Sequence, residues 1–423
     1  MNFLLLCNKP SLGASANTII DHISAFEHYS KYRIWTLSCV GDLPEALEFS
    51  RFDGVIIHYS LSLLTNYYLS HKAKDKLKQF AGLKILFIQD EYRAINQLIK
   101  EINFLKIDIL FTCFPEAEIN KIYPQELLPN VSKYTNLTGY IPERLLAKTD
   151  FPTMADRPID VGYRARKLPF WYGELGYEKW NIVEKWQENI NDPMLKVDMS
   201  YHEQDRIYGE DWIRFLSSCK TTLGVESGAS VMDFTGDIER KVDWYQVTHP
   251  KATFLEVQHR FLKEYEGLYK LNQISPRCFE AIALKTVLVL YEGEYSGILK
   301  PWQHYIPLKK DFSNRDEVLK AIQDEALLEV MAERAYQEVA LNPLWHYKTW
   351  IQGVDTIIQH ECLVRCKPQA TETYTESVYL EHIAQVSRVQ VYFRKILFIY
   401  YKLPFSVRLL IRNIWRWRKF GSD

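Results

Sequence analysis

The sequence predicts an α/β protein of two Rossmann-like domains facing a cleft, followed by a basic, amphipathic helical tail. Three observations predict it. Short apolar runs alternate with amphipathic stretches from Met1 to about Lys148, which is the rhythm of a sheet with crossover helices. A segment with three prolines, YIPERLLAKTDFPTMADRP, then breaks that rhythm, and the same alternation restarts at PIDVGYRARK. At 423 residues and 47% hydrophobic content the chain is long enough for two domains with separate cores. The expected organisation is a first domain at 1–148, a linker at 149–158, a second domain at 159–345, a crossover helix at 346–368 and the tail at 369–423.

In the first domain NFLLLC, RIWTLS, DGVIIH, LKILFIQ and IDILFT read as strands. Each pair is separated by enough residues for a crossover helix, so a parallel sheet is the natural solution. Ligands bind such sheets outside the strand C-termini. The residues there are Asn8, Ser11 and Gly13 after the first strand, His58 and Tyr59 after the third, and Asp90, Glu91 and Arg93 after the fourth. The loop KPSLGASANT lacks GxGxxG, so the dinucleotide fingerprint is absent; Ser11 and Gly13 are read as acceptor contacts. His58 has two readings, a proton carrier or a cap on the sheet. Asp90 and Glu91 also have two. A carboxylate at this place can deprotonate an acceptor hydroxyl, or the pair can form the N-cap and first-turn acid of the next helix.

In the second domain the strand in PIDVGYRARK delivers Arg164, Arg166 and Lys167 together, with Lys179 on the helical stretch that follows. This cluster suits a diphosphate, or is a solvated basic turn. After LKVDM and the helical GEDWIRFLSSC, the run KTTLGVESGAS ends in a small-residue turn carrying Glu226, Ser227, Gly228 and Ser230. Small residues let a ligand approach the backbone. An aromatic, charged insertion at 231–273 reads as helical, and His249 and His259 within it lack metal-ligand spacing. The segment 274–314 reads as a helix start, a buried strand and an ordered loop. Ser275 suits the N-cap and Pro276 the first helical position, so free N–H groups and the positive dipole end can hold an anion. Arg277 and Glu280, three apart, share a face, either as site residues or as an ordinary surface pair.

The order of that loop, the FEAIA helix and the strand TVLVLYEG resembles the donor-binding region of GT-B glycosyltransferases, particularly group 1 enzymes and spore-maturation-type relatives. The resemblance implies a donor nucleotide in the second domain and an acceptor in the first. It implies Glu280 on the donor ribose, and Ser275 and Arg277 facing the diphosphate. Arg164 is the closest match to the family's Gly–Arg arginine, with Arg166, Lys167 or Lys179 as second cation and Glu226 as a further donor contact. Asp90 or His58 would be catalytic, with Ser11, Gly13 and Glu91 on the acceptor. The group 1 pattern has a second Glu eight positions before Glu280, where this chain has Asn272. The implied activity is hexosyl transfer from a nucleotide-sugar to a glycan or lipid-linked acceptor in cell-surface polysaccharide or glycolipid synthesis. A polyol-phosphate transferase, a sugar-nucleotide epimerase or a non-catalytic scaffold on the same fold are the alternatives. The chain has no D-x-D triplet and no GxxxxGK[ST]. The expected chemistry is therefore metal-independent and without a cofactor, with helix dipoles and Arg or Lys neutralising the leaving group.

Composition bounds the setting. With 52 basic and 53 acidic residues, no nucleic-acid partner is expected. Seven scattered cysteines suggest reduced thiols in the cytoplasm, and MNFLLLCNKP is too short an apolar run for a signal or a span. NPLWHYKTWIQGVDTIIQHECL reads as the crossover helix. From Arg388 to Lys419 basic and aromatic residues interleave with no acidic residue. This pattern predicts peripheral attachment to an anionic membrane surface on the inner face of the cell membrane.

Overall fold

Six runs form the first sheet of the computed structural model: β1 (Asn2–Cys7), β2 (Arg33–Ser38), β3 (Gly54–Ile57), β4 (Leu83–Phe87), β5 (Ile109–Thr112) and β6 (Ser132–Thr135). All are parallel, in the order β2-β1-β3-β4-β5-β6. The second half supplies β7 (Ile159–Arg164), β8 (Val197–Ser200), β9 (Cys219–Gly224), the short antiparallel pair β10 (Ser227–Gly228) and β11 (Asn272–Gln273), then β12 (Val287–Tyr291) and β13 (Tyr305–Leu308). Its parallel sheet runs β13-β12-β9-β7-β8. In each sheet the domain's first strand lies between its second and third. Each sheet therefore has a topological switch point, at β1/β3 and at β7/β9, where the crevice outside the strand C-termini receives ligands. The structure describes residues 1–384 except 12 and 14, together with 399, 400, 403, 407, 408, 410 and 411.

Strands covered on both faces need continuous apolar runs, and β3, β4, β5 and β12 are buried at every position. Within the two parallel sheets, the strands missing from the sequence expectation are β6, SKYT, and β13, YIPL. Both lie at sheet edges. An edge strand tolerates polar side chains, as in the half-exposed β6, and a residue with no N–H to donate, as at Pro307 in the buried β13. The insertion is helical at Asp237–Thr248 and Phe254–Val257, and Phe254 stacks on Tyr177 with ring centroids 4.1 Å apart.

The helix Tyr347–Val364 returns to the first sheet, where Trp350, Ile351, Val354 and Ile358 share a core with Phe3, Phe26, Phe87 and Phe111. Its Asp355 accepts hydrogen bonds from the Ser30 hydroxyl at 2.8 Å and the Lys31 N–H at 2.7 Å. The connection between domains is fixed at its end by Arg157, which is 3% exposed and donates to the carbonyls of Pro152, Cys219 and Leu284 and to the Thr286 hydroxyl. Among the described residues no helix is long and apolar enough to cross a membrane. The basic stretch 388–419, for which a membrane surface was expected, lies almost entirely outside the described residues.

Candidate functional site

The C-terminal ends of the two sheets face each other across a cleft holding a cavity of about 140 Å³. Gln89, Asp90, Tyr92, Cys113 and Thr138 line it from the first domain, and Lys179, Ser227, Gly228, Leu271, Gln273 and Pro276 from the second. A larger depression along Glu329–Gln337 lies open on an outer helix face, away from both strand ends. The floor of the cleft needs its glycine. Gly228 has φ +119°, and a Cβ there would stand 1.7 Å from the Leu271 carbonyl oxygen. The small-residue turn thus permits the β10–β11 pairing that forms the cavity wall.

Asp90 follows β4, is exposed, and accepts a hydrogen bond from the Tyr92 hydroxyl at 3.0 Å. Arg166 and Lys179 face it from the second domain, and among the described residues neither has a carboxylate within ion-pair distance. Burial pushes the Lys179 ammonium down to about 8, the neighbouring Arg277 and Arg166 push it the same way, and Asp90 opposes them. Arg277, at the start of the helix Pro276–Ala283, donates to the Arg164 carbonyl and lies over the Trp212 ring, 5.5 Å from its centroid. Three cations and one carboxylate therefore meet at the cleft, a concentration of positive charge that favours a polyanion.

The helix Pro276–Ala283 has Ser275 at its N-cap and Pro276 in its first turn, as its sequence predicts, but the Ser275 hydroxyl makes no capping bond. Glu280, on the same helix, is buried, and its Oε2 accepts from the Trp212 indole at 2.8 Å. Burial pushes this carboxyl up to about 7; the Trp212 donor, Arg144 and Arg277 pull it down, and Asp21 pushes it up. Glu280 and Arg277 are thus not a surface ion pair. Trp212 touches both. From the first domain the pair Arg144–Asp21, joined by bonds of 3.0 and 2.9 Å, faces Glu280.

Several expected site residues are placed elsewhere. His58 is fully buried: its Nδ1 accepts from the Ser60 N–H at 3.0 Å, and its Nε2 lies 3.0 Å from His22 Nδ1. That bonding makes it a sheet cap with no access to the cleft, correcting the catalytic reading. Glu91 is also sealed in, accepting from the Thr112 hydroxyl at 2.5 Å, the Tyr123 hydroxyl at 2.6 Å and the Cys113 N–H at 2.6 Å. It cannot touch an acceptor. Arg164 is committed to Asp198 at 2.8 Å and to the carbonyls of Asp205, Tyr163 and Asp198, with Phe215 under its guanidinium. Arg164 is therefore held away from any ligand, whereas Arg166, Lys179 and Arg277 gather at the cleft. Lys167 lies over Trp180. Glu226 accepts from Asn272 Nδ2 at 2.7 Å and from the N–H groups of Glu294 and Tyr295, so it fastens the loop after β12 rather than facing the cleft as a donor contact. Asn272, at the position of the family's second Glu, is its partner. Ser11 is exposed, and Gly13, with φ +74°, packs against Gly209 of the second domain. Neither lines the cavity.

Sequence reasoning missed Trp212, Asp21 and Arg144. The one available signal was Trp212, since an indole on the buried face of an amphipathic helix needs an acceptor.

The His22–His58 contact leads to a pH expectation. Burial lowers His58 to about 3 and lowers His22 as well. A base whose folded value is depressed binds its proton first in the unfolded chain, so its contribution is complete above pH 6.5 and declines as pH falls toward 3. His58→Asn is expected to remove up to about 1.4 kcal/mol per pH unit of that decline, measured as the difference between urea unfolding curves at two pH values below 6.5.

No protein-family model matches the sequence, and no curated protein matches it. Solved structures do match. An α-glucosyltransferase in complex with UDP-glucose and DNA containing an abasic site aligns at a TM-score of 0.50 and 10% identity, over 84% of this chain and 98% of the other. The complex of an α-glucosyltransferase with UDP and a 13-mer DNA containing a HMU base gives 0.50 and 11% over 85% and 99%. The Anabaena protein HepE with UDP-glucose gives 0.47 and 10% over 85% and 100%. The chain has the GT-B fold, two Rossmann-like domains about a cleft. One expectation is corrected by these neighbours. Exclusion of nucleic acid as a partner rested on overall charge balance, and the neighbours bound to DNA show that this frame accommodates it.

Proposed function

We propose that the protein is a glycosyltransferase that moves a sugar from a nucleoside-diphosphate sugar, bound on the second domain, to an acceptor hydroxyl presented from the first. The observation that carries this reading is the gathering of Arg166, Lys179 and Arg277 beside the Ser275 helix start, opposite Asp90. When the glycosyl–phosphate bond breaks, its electron pair passes to the β-phosphate oxygen. Fixed cations and a helix N-terminus aimed at that oxygen stabilise the charge as it develops, in the place a metal ion takes in other transferases. Glu280 accepts hydrogen bonds from the donor ribose hydroxyls. Asp90, open to solvent at the first-domain rim, orients or deprotonates the acceptor hydroxyl. UDP-sugars are the donors favoured by the neighbours, and a glycan or lipid-linked glycan is the acceptor class favoured by the sequence.

A thermal-shift panel of UDP-, GDP-, CDP- and dTDP-sugars tests the reading. A ligand at 100 times its Kd stabilises by about 2.7 kcal/mol, so one nucleotide series is expected to raise the melting temperature. No shift with any of them contradicts the proposal.

Two further outcomes follow from the site. An ionised carboxylate is the stronger acceptor for ribose hydroxyls, and burial pushes the Glu280 carboxyl up to about 7. UDP affinity is therefore expected to rise with pH through that value, by up to about tenfold per pH unit below it, and Glu280→Gln is expected to lose the dependence in calorimetric titrations. Arg164→Ala is expected to lower stability by about 1–3 kcal/mol, because its carbonyl and Asp198 partners lose their donor, with UDP affinity changed less than about twofold.

A further inference from the structure

Two-domain proteins with small interfaces move by default, and cleft enzymes commonly close over their ligands. Here the two domains are stitched beside the cleft. Asp233 N–H donates to the Tyr92 carbonyl at 3.0 Å, Ile95 N–H to the Asp233 carbonyl at 3.2 Å, and Asn96 N–H to the Phe234 carbonyl at 2.9 Å. These bonds run between the first domain's loop after β4 and the second domain's insertion. Around them Arg93 makes a two-pronged pair with Glu239, at 2.9 and 2.7 Å, and Glu239 is only 3% exposed. The Asp233 carboxylate accepts from the N–H groups of Gly236 at 2.7 Å and Glu239 at 2.8 Å, which fixes the turn that presents Glu239. Ala94 is held at φ +44°. A non-glycine residue in that region is kept there by its surroundings.

We propose that residues 231–239 form a strap that holds the loop 90–96 against the second domain, so that Asp90 faces Arg166 and Lys179 without a closing motion. The strap makes Arg93, Asp233 and Glu239 positioning residues. Its existence stands on the contacts themselves, and its service to Asp90 rests on the nucleotide-sugar reading. A second seam runs along the cleft floor. There the Thr138 hydroxyl donates to the Ile274 carbonyl at 2.7 Å, and the Gln273 amide donates to the Cys113 carbonyl. Opening the cleft has to break both seams, and the buried Glu239 charge would then lose its partner.

Small-angle scattering and amide hydrogen exchange on the full chain, with and without UDP, test the strap against Arg93→Ala and the milder Glu239→Gln. The expected wild-type radius of gyration is the same in both conditions. In Arg93→Ala the radius increases and the amides of Ile95, Asn96 and Asp233 exchange about 100-fold faster, while those of β4 and β9 keep wild-type protection. Glu239→Gln shifts the same amides by a smaller factor and serves if Arg93→Ala fails to fold. A wild-type protein that contracts when UDP binds overturns the proposal, as do variants that match wild type in both measurements. UDP binding is followed calorimetrically in the same samples. Absence of binding heat tells against the nucleotide-sugar reading alone, because the comparison of variants with wild type needs no ligand.

Discussion

Lys179→Ala is expected to lower turnover by about 10²–10³-fold, the usual cost of deleting one fixed group that stabilises charge developing in a transition state. Arg166→Ala is expected to do the same, and the double variant to fall little further, because groups acting as a unit do not add. The electrostatics give this outcome a signature that a structural residue lacks. The Lys179 ammonium is desolvated and stands beside two arginines, and these together bring it down to about 8. Removing it relieves that repulsion, so the variant is expected to unfold no earlier than wild type in urea while losing activity. Conflict between activity and stability of this kind marks functional sites. Turnover with the donor found in the thermal-shift panel, measured beside unfolding curves of the same preparations, checks both halves. A variant that loses stability and activity together would make Lys179 a structural residue.

The second large effect is the reverse, a loss of stability at a residue first read as an acceptor contact. Glu91→Ala strips the acceptor from the Thr112 hydroxyl, the Tyr123 hydroxyl and the Cys113 N–H, all buried. Each donor left without a partner costs about 1–3 kcal/mol, so the loss is expected to be at least about 3 kcal/mol, a large part of the stability of most domains. Glu91→Gln retains an acceptor oxygen and is expected to cost much less. Burial pushes the Glu91 carboxyl up to about 8 despite those three donors. An acid with a raised folded value loses stability as pH climbs from 4.5 through 8, so the glutamine variant is expected to gain on wild type across that interval. Urea unfolding at several pH values measures both. Were Glu91 to touch the acceptor, Glu91→Gln would instead abolish transfer with stability unchanged.

Asp90 and Glu91 show where sequence reading reaches its limit. Both follow the buried run LKILFIQ, and that run locates them at the ligand end of the sheet. They are adjacent, and successive side chains leaving an extended segment point to opposite sides. One enters the cleft and the other enters the core, and which does which is set by Thr112 and Tyr123 on neighbouring elements. Arg164 and Arg166 differ for a similar reason. The β7–β8 register places Gly162 opposite Asp198, and this long-range pairing brings a carboxylate to Arg164 alone. His58, which follows β3, is decided by His22 on the helix Asn17–Tyr29. The parts that were legible are those written locally: the apolar central strands, Ser275 and Pro276 opening a helix, and Lys179 among the candidate cations. The edge strands β6 and β13 and the partners across the cleft depend on contacts between distant segments, for which periodicity carries no signal.

The central claim is that Arg166, Lys179 and Arg277 hold the diphosphate of a nucleotide whose ribose rests on Glu280. A crystal structure of the full chain with UDP tests it most directly. Phosphate oxygens within hydrogen-bond reach of Arg166 and Lys179, with ribose hydroxyls on the Glu280 carboxylate, is the expected result. UDP bound with its phosphates away from these cations, or outside the cleft, would contradict it.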